Sequence, residues 1–292
     1  MKIGVQLPEV ERPVGWSEIQ AMAQLIEKAG FDSIWVGDHL LYDEDEARRG
    51  PWEAWTTLAA VAAVTDRVEI GPLVAALPFH SPAILAKLAS TVDEISGGRL
   101  ILGLGAGWNE TEFRAFGIPF ERRVSRFAEG FEIVRRLLAG ERFDYEGEFY
   151  RLEGAELLPP PRPGGPLMMI GSNSPRMLSI GLPHVDMWNS FYRSYGNDPG
   201  ELPDLIVRID RACEDAGRDP GSLTKTVAAL LKFDDEARRR SADNPIRGSV
   251  EHMAGELEKV GAAGISHVQL VLDPITAESI ERAAEVKQLV TG

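Results

Sequence analysis

Cysteine is almost missing from this chain of 292 residues: Cys213 stands alone, so no internal disulfide framework is available. A reducing compartment is therefore expected, and with no cationic or imidazole side chain directly adjoining it the thiol reads as a packing residue. Basic residues are in deficit as well. Lys and Arg total 31 against 45 Asp and Glu, a formal net charge of −14, which argues against nucleic acid or an anionic membrane as partner but leaves room for a local basic pocket. No apolar run reaches the roughly 18 residues that a membrane helix needs, and MKIGVQLPE carries no apolar signal region, so a cytoplasmic protein is expected. Metal-ligand spacing is absent. His39, His80, His184, His252 and His267 are scattered, with no H-x-x-x-H or C-x-x-C, and no metal site is expected. A G-x-S-x-G nucleophile elbow is missing too, which favours chemistry performed by a bound organic cofactor.

What is present is an alternation of apolar strands and amphipathic helices. Lys2 to Leu7 reads as a strand, then Ser17 to Ala29 as a helix with Ile19, Met22, Ala23, Ile26 and Ala29 on one face and Ser17 and Gln20 at capping-box spacing. Ser33 to Val36 and Val68 to Leu77 are the next strands, separated by a helix from about Trp52 to Val64, and Ser81-Pro82 opens the helix that follows. The fourth strand begins at Leu100, and Phe127, Phe131, Val134, Leu137 and Leu138 mark the fourth helix. Later strands are expected at Leu167 to Ile170, Val185 to Asn189, Val227 to Phe233 and His267 to Leu272. Helices follow them at about Pro175 to Leu182, Pro203 to Ala216, Val250 to Val260 and Ala277 to Leu289.

Eight such pairs define an α/β fold of the TIM (β/α)8 barrel class, and about 250 residues suffice for one such domain, so residues 1–292 are expected to form a single domain. The rhythm breaks only between the fourth helix and the fifth strand, at about residues 140–166. There FDYEGEFYRL reads as a hairpin and LLPPPRPGGP as a proline run, an insertion expected to edge the substrate entrance.

In such a barrel the residues after each strand converge on one face. They are Asp38 and His39, Val74 to Ala76, Gly105 to Trp108, Gly171 to Ser174, and Asn189. LILGLGAGWNETE, from Leu100 to Glu112, is the most informative run, since a buried strand ends in Gly103, Gly105 and Gly107 and so brings bare backbone to a ligand. Trp108 and Glu110 stand where the dinucleotide fingerprint G-x-G-x-x-G needs its last glycine, so that motif is excluded. A lone histidine is ordinarily a satisfied core residue, yet a strand end favours a functional role for His39. GSNSPRM at 171–177 suits either an ordinary capped helix or a phosphate site. Trp108, Trp188, Trp35 and Tyr192 suit either the core or the flank of a planar ring, with Trp108 and Trp188 the ones placed near a ligand. Glu110 and Glu112 read as helix N-terminal carboxylates or as direct participants, and Arg122, Arg123 and Arg126 as a solvated face or as anion contacts.

SIWVGDHL, the run from GPLVAALPFH through LILGLGAGWNETEF, and PLMMIGSNSPRML together resemble the bacterial luciferase-like superfamily of flavin- and deazaflavin-dependent oxidoreductases, with the likeness extending from Lys2 to about Asn189. The resemblance implies a TIM barrel with an insertion, His39 as the active-site histidine beside an isoalloxazine-type ring, and a non-prolyl cis bulge at Leu73-Val74 behind it. It also implies cofactor contacts from Asp38, Leu73, Val74, Ala75, Ala106, Gly107, Trp108, Gly171, Ser172, Asn173 and Ser174, and a substrate pocket that includes Trp188, Asn189 and Tyr192.

Some sugar-phosphate dehydrogenases of the family carry a catalytic glutamate where this chain has Trp108, so their proton-transfer scheme is not carried over. The implied cofactor is coenzyme F420, for hydride transfer to or from a small organic substrate, or FMN, for a monooxygenase reaction with oxygen. A homodimer is implied as well. Two other classes compete. A phosphate-binding lyase or isomerase would want a lysine or paired carboxylates at strand ends, where Lys232 is the only lysine so placed, and a barrel that merely binds flavin would not need His39.

Overall fold

The computed structural model describes residues 1–9, 11–44, 47–233 and 244–292. Parallel strands β1 (Lys2–Gln6) and β2 (Ser33–Val36) are joined by α1 (Trp16–Lys28), and the small antiparallel hairpin β3 (Tyr42–Glu44) and β4 (Ala47–Arg49) follows before α2 (Ala54–Val64). The third barrel position is divided between β5 (Glu69–Pro72) and β6 (Ala75–Ala76), where the sequence predicts one continuous strand, because a cis Leu73-Val74 peptide interrupts it. Next come α3 (Pro82–Ser96), β7 (Ile101–Gly105), the short α4 (Glu110–Ala115) and α5 (Arg123–Leu138). After the hairpin β8 (Phe143–Glu146) and β9 (Arg151–Ala155), the alternation resumes with β10 (Leu167–Gly171), α6 (Pro175–Gly181), β11 (Met187–Ser190) and α7 (Leu202–Asp215). The chain finishes with β12 (Thr224–Lys232), the two-residue β13 (Ile246–Arg247), α8 (Val250–Ala262), β14 (His267–Asp273) and α9 (Ala277–Thr291).

The strand order is β5-β2-β1-β14-β12-β11-β10-β7-β6, all parallel, and a bridge from Ile70 to Leu100 joins β5 to β7. Counting β5 and β6 as one interrupted strand gives eight positions around a closed circuit, the TIM barrel expected from the alternation. Strands buried along nearly their whole length, such as β7, are apolar throughout because helices cover their outer face.

Local chemistry departs from expectation at several helix starts. α1 begins at Trp16 with Gly15 as its cap, so Ser17 lies inside the first turn and the Ser17/Gln20 capping box does not form. Glu53, whose carboxylate accepts the Trp55 and Thr56 amides, sets the start of α2 two residues beyond Trp52. At the other end of a helix, Gly97 closes α3 in the left-handed region (φ 71°) and returns its amide to Asp93 and Glu94 carbonyls.

The barrel's N-terminal end is fastened by Arg99, which donates to the carbonyls of Ala62, Thr65, Val68 and Ser96 and to the Thr65 hydroxyl, over 2.7–3.0 Å. At the same end Ser33 Oγ accepts the Trp35 indole N–H at 2.7 Å and meets His267 Nε2 at 2.7 Å. Burial holds His267 neutral, its pKa pushed down to about 4. The insertion docks on the helical layer. Glu129 of α5 accepts the amides of Glu148, Phe149 and Tyr150, and Arg162 approaches Glu94 of α3 at 3.2 Å. No insertion residue lines the cleft described below, contrary to the expectation that it would edge the substrate entrance.

Candidate active site

At the C-terminal ends of the strands lies a cleft of about 730 Å³. His39, on the loop after β2, lines it together with Glu112 of α4. The local sequence explains the pairing. Asn109 caps α4 by accepting the Thr111 amide, and its Nδ2 donates to the Leu41 carbonyl at 3.0 Å, which stitches the helix start to the His39 loop. Glu112 then falls at the third helical position and turns across to His39 instead of back to its own cap. Its carboxylate accepts from His39 Nδ1 at 3.0 Å and from the Leu40 amide at 2.9 Å, while the side chain is fully buried. Burial opposes a charge on His39, but the bond to Glu112 and the carboxylates of Glu9 and Asp38 prevail and raise its pKa above the usual value. With Nδ1 committed to Glu112, Nε2 is the ring nitrogen left for the cleft. Glu110, by contrast, forms an exposed pair with Arg114 at 2.5 Å.

The cis Leu73-Val74 bulge stands as implied, and both residues line the cleft. It also changes the meaning of the glycines. A Cβ on Gly103 would meet the Pro72 carbonyl oxygen at 2.4 Å and Val74 Cγ1 at 2.9 Å, and Cβ atoms on Gly105 and Gly171 would each meet Val74 Cγ2 at 2.8 Å. Gly103, Gly105 and Gly171 therefore form a cup around the Val74 side chain. Gly107 alone needs its glycine for the turn itself (φ 73°), and a Cβ there would also strike Phe113. Asp38 secures the bulge from the other side, its Oδ2 accepting the Ala76 amide at 2.9 Å and lying 2.9 Å from His80 Nε2.

Ala106, Gly107, Trp108, Gly171, Ser172, Asn173, Ser174, Asn189 and Tyr192 all line the cleft as expected. Two expected residues do not. Ala75 is buried off the cleft, where Ala76 takes the lining position after the bulge, and Trp188 is buried in the wall with its indole N–H on the Ser172 carbonyl at 2.8 Å. Neighbouring Asn189 points inward and donates to Thr226 Oγ1 and Gln269 Oε1, both at 2.8 Å. Asn173 Nδ2 donates to Ser190 Oγ at 2.9 Å, leaving its buried Oδ1 without a donor. The seven-residue α6 offers little at its start, since the Ser174 amide already reaches Ser172 Oγ.

Tyr42 and Gln6 belong to the site but escaped the sequence reading. Tyr42 lies 4.5 Å from His39, ring to ring, and 6.0 Å from Trp108, which is 58% exposed at the mouth. Burial, then Glu9, Glu112 and Glu11, raise the Tyr42 pKa and keep its phenol protonated. Gln6 donates to Glu9 at 2.7 Å and leaves a buried Oε1 unpartnered. Its signal was a polar residue in phase with Gly4 at the end of an apolar strand. Arg123 also lines the cleft, its Nε on the Gly107 carbonyl at 3.0 Å.

A parallel barrel whose strand ends bring a histidine–carboxylate pair and a cis bulge to one cleft has the architecture of the luciferase-like enzymes. The chain belongs to the luciferase-like monooxygenase family, whose model matches residues 1–288. It is 34% identical over 182 residues to a 5,10-methylenetetrahydromethanopterin reductase of Archaeoglobus fulgidus, a match to 62% of this chain that spans about half (50%) of that protein. A pyrimidine monooxygenase of Cronobacter sakazakii, RutA, is 29% identical over 240 residues, covering 78% of this chain and 69% of the relative. Among solved structures, an F420-dependent secondary alcohol dehydrogenase in complex with an F420-acetone adduct superposes with a TM-score of 0.85 at 20% identity, over 100% of this chain and 99% of that one. Relatives of this chain are thus oxidoreductases and monooxygenases. No helix among the described residues is long and apolar enough to cross a membrane.

Proposed function

We propose that the chain is a coenzyme F420-dependent oxidoreductase that moves a hydride to or from a small organic substrate. The observation that carries this reading is the fully buried Glu112 bonded to His39 Nδ1 beside the Val74 bulge, which fixes one ring nitrogen and frees the other for the reacting end of the cleft. The donor set suits the cofactor. Asn173 Oδ1 and Gln6 Oε1 are buried acceptors without donors in residues that line the cleft, and a ribityl chain and a ring N–H would supply donors to such positions.

When bound, the deazaflavin supplies the two-electron hydride acceptor or donor. His39 Nε2 gives a proton to the substrate oxygen, or takes one from it, and Glu112 stabilises the imidazolium and holds its orientation. Trp108 and Tyr42 shape the mouth and limit water. The likeness to the F420-dependent alcohol dehydrogenase fold and to the reductase supports this choice. A reduced-FMN monooxygenase is the second reading, favoured by the match to the pyrimidine monooxygenase over 78% of the chain. No lysine lines the cleft among the described residues, and Lys232 lies off it, so the lysine that a lyase or isomerase would use is not at hand.

Titration of the purified chain with coenzyme F420 and, separately, FMN, followed by ring absorbance or fluorescence, tests the proposal. Submicromolar to micromolar binding of F420 with weaker binding of FMN is expected, and binding of neither would sink the redox reading. Light scattering of the same sample checks the homodimer that the family resemblance implies.

A further inference from the structure

A helix cap needs one side-chain acceptor, and serine, threonine, aspartate and asparagine all supply it. At the start of α4 that acceptor is Asn109 Oδ1, which takes the Thr111 amide at 3.2 Å. Asparagine also carries a donor, and here it is used: Nδ2 reaches the Leu41 carbonyl at 3.0 Å, a contact between residues 68 positions apart. Aspartate has no such donor, and a serine or threonine hydroxyl ends one bond closer to the backbone. Capping explains a polar residue at 109, but only the second bond explains the amide.

The carbonyl it holds belongs to residues 37–41, a stretch without helix or strand that carries His39. Two elements fix the end of this stretch. Gly50, beyond β4, lies so close that a Cβ on it would stand 2.6 Å from the Leu40 carbonyl oxygen. α4 holds two further backbone groups, with Glu112 on the Leu40 amide at 2.9 Å and Asn109 on the Leu41 carbonyl. The same Glu112 carries the bond to His39 Nδ1. A loop bonded to a helix of six residues has no long ladder on either side to keep the partners in register, so the side-chain bonds between them set the distance. A charge-assisted bond weakens steeply as its length and angle drift.

We propose that Asn109 is a positioning residue for His39, its amide strapping the His39 loop to α4 so that the Nδ1 bond to Glu112 is kept and Nε2 stays aimed at the cleft. Asn109 lines the cleft, yet both polar atoms of its amide are engaged within the chain, so it acts through His39. The role rests on the proton-transfer reading of His39 above. Glu9 and Asp38 also favour the imidazolium, and Tyr42 and Trp108 pack beside the ring, but none of them accepts a bond from Asn109, so they are common to all the variants below.

The test is an NMR titration of the His39 ring protons in the full chain, with and without bound F420, in the wild type, Asn109→Ser, Asn109→Thr and Asn109→Ala. Serine and threonine keep a cap and lose the strap. The His39 midpoint should therefore move to lower pH in both, in the direction of Glu112→Gln, while the unfolding midpoint in urea stays near the wild type. Alanine loses cap and strap, and should add a loss of stability to the same His39 shift. Turnover should fall about tenfold in kcat, with KM and F420 affinity changed less than about threefold. A His39 titration identical to the wild type in Asn109→Ser and Asn109→Thr would overturn the strap. So would a loss of F420 affinity above about tenfold with His39 unmoved, which would make Asn109 a cofactor contact. If His39 shifts as expected but F420 does not bind, the strap stands and the cofactor reading falls.

Discussion

Two histidines, one buried and one half-buried, sit at opposite ends of this barrel and are shifted in opposite directions. His267, at the N-terminal end, faces Ser33 and Trp35 and has its pKa pushed down to about 4 by burial. His39, at the C-terminal end, is half-buried and also desolvated, yet Glu112, with Glu9 and Asp38, raises its pKa. What separates the two rings is the set of carboxylates around His39, with the buried Glu112 bonded to it and Glu9 and Asp38 close by. Desolvation alone yields a neutral ring that keeps one hydrogen bond, whereas desolvation with an opposed charge yields a ring that can hold or release a proton at the cleft.

The sharpest way to break that contrast is to remove either partner at the cleft. His39→Ala should lower kcat by about a hundredfold to a thousandfold, the usual worth of a positioned acid or base, with cofactor affinity changed by less than about threefold. Glu112→Gln should approach the same loss and move the kcat pH profile toward lower pH, because the lost carboxylate no longer favours the imidazolium. An unchanged profile would assign Glu112 to folding alone.

Stability against pH separates the two ends next. The His267 contribution is full above the unfolded value of 6.5 and is lost as pH falls from there through about 4, a swing of about 3 kcal/mol. His39 has the opposite sign: its contribution is full below 6.5 and is lost as pH rises through its raised folded value. Urea unfolding at pH 7 and pH 4 should therefore show a smaller acid loss in His267→Gln than in the wild type.

A third comparison concerns the cup around Val74. Gly103→Ala places a Cβ against the Pro72 carbonyl, which cannot move like a flexible side chain, and should cost about 2 kcal/mol by urea unfolding. Ser33→Ala, which leaves the Trp35 N–H and His267 without their shared hydroxyl, should be smallest, about 1–2 kcal/mol in the same assay, with kcat retained.

Much of the architecture was legible in the residues, because apolar periodicity switching between strand and helix is a local property. His39, Asp38 and most of the two cleft walls were legible for a related reason, since a strand end in a barrel has only one face to go to. What escaped depended on contacts or on phase. The bond from Glu112 to His39 spans 73 residues, and nothing in GWNETEF says which way its third helical carboxylate will turn. Trp188 and Asn189 differ by one residue on the same strand, and only the inward phase of Asn189, visible as an amide in an apolar run, marks which of them meets the cleft. Ala75 was misplaced by the Leu73-Val74 interruption, which resets that phase. Gly15 displaced the expected cap of α1 because the helix could begin earlier on Trp16.

The cup of glycines around Val74 also constrains how this chain can drift. Gly105 and Gly171, on two strands, answer to one side chain, so neither can change unless Val74 yields, and Gly103 is held by the Pro72 carbonyl as well, so no change at Val74 alone would free it. The cleft floor is thereby held against stepwise mutation, and the mouth, on the loops that carry Tyr42 and Trp108, is where change meets the least resistance. Selection on this scaffold can repaint the doorway readily while leaving the hearth untouched.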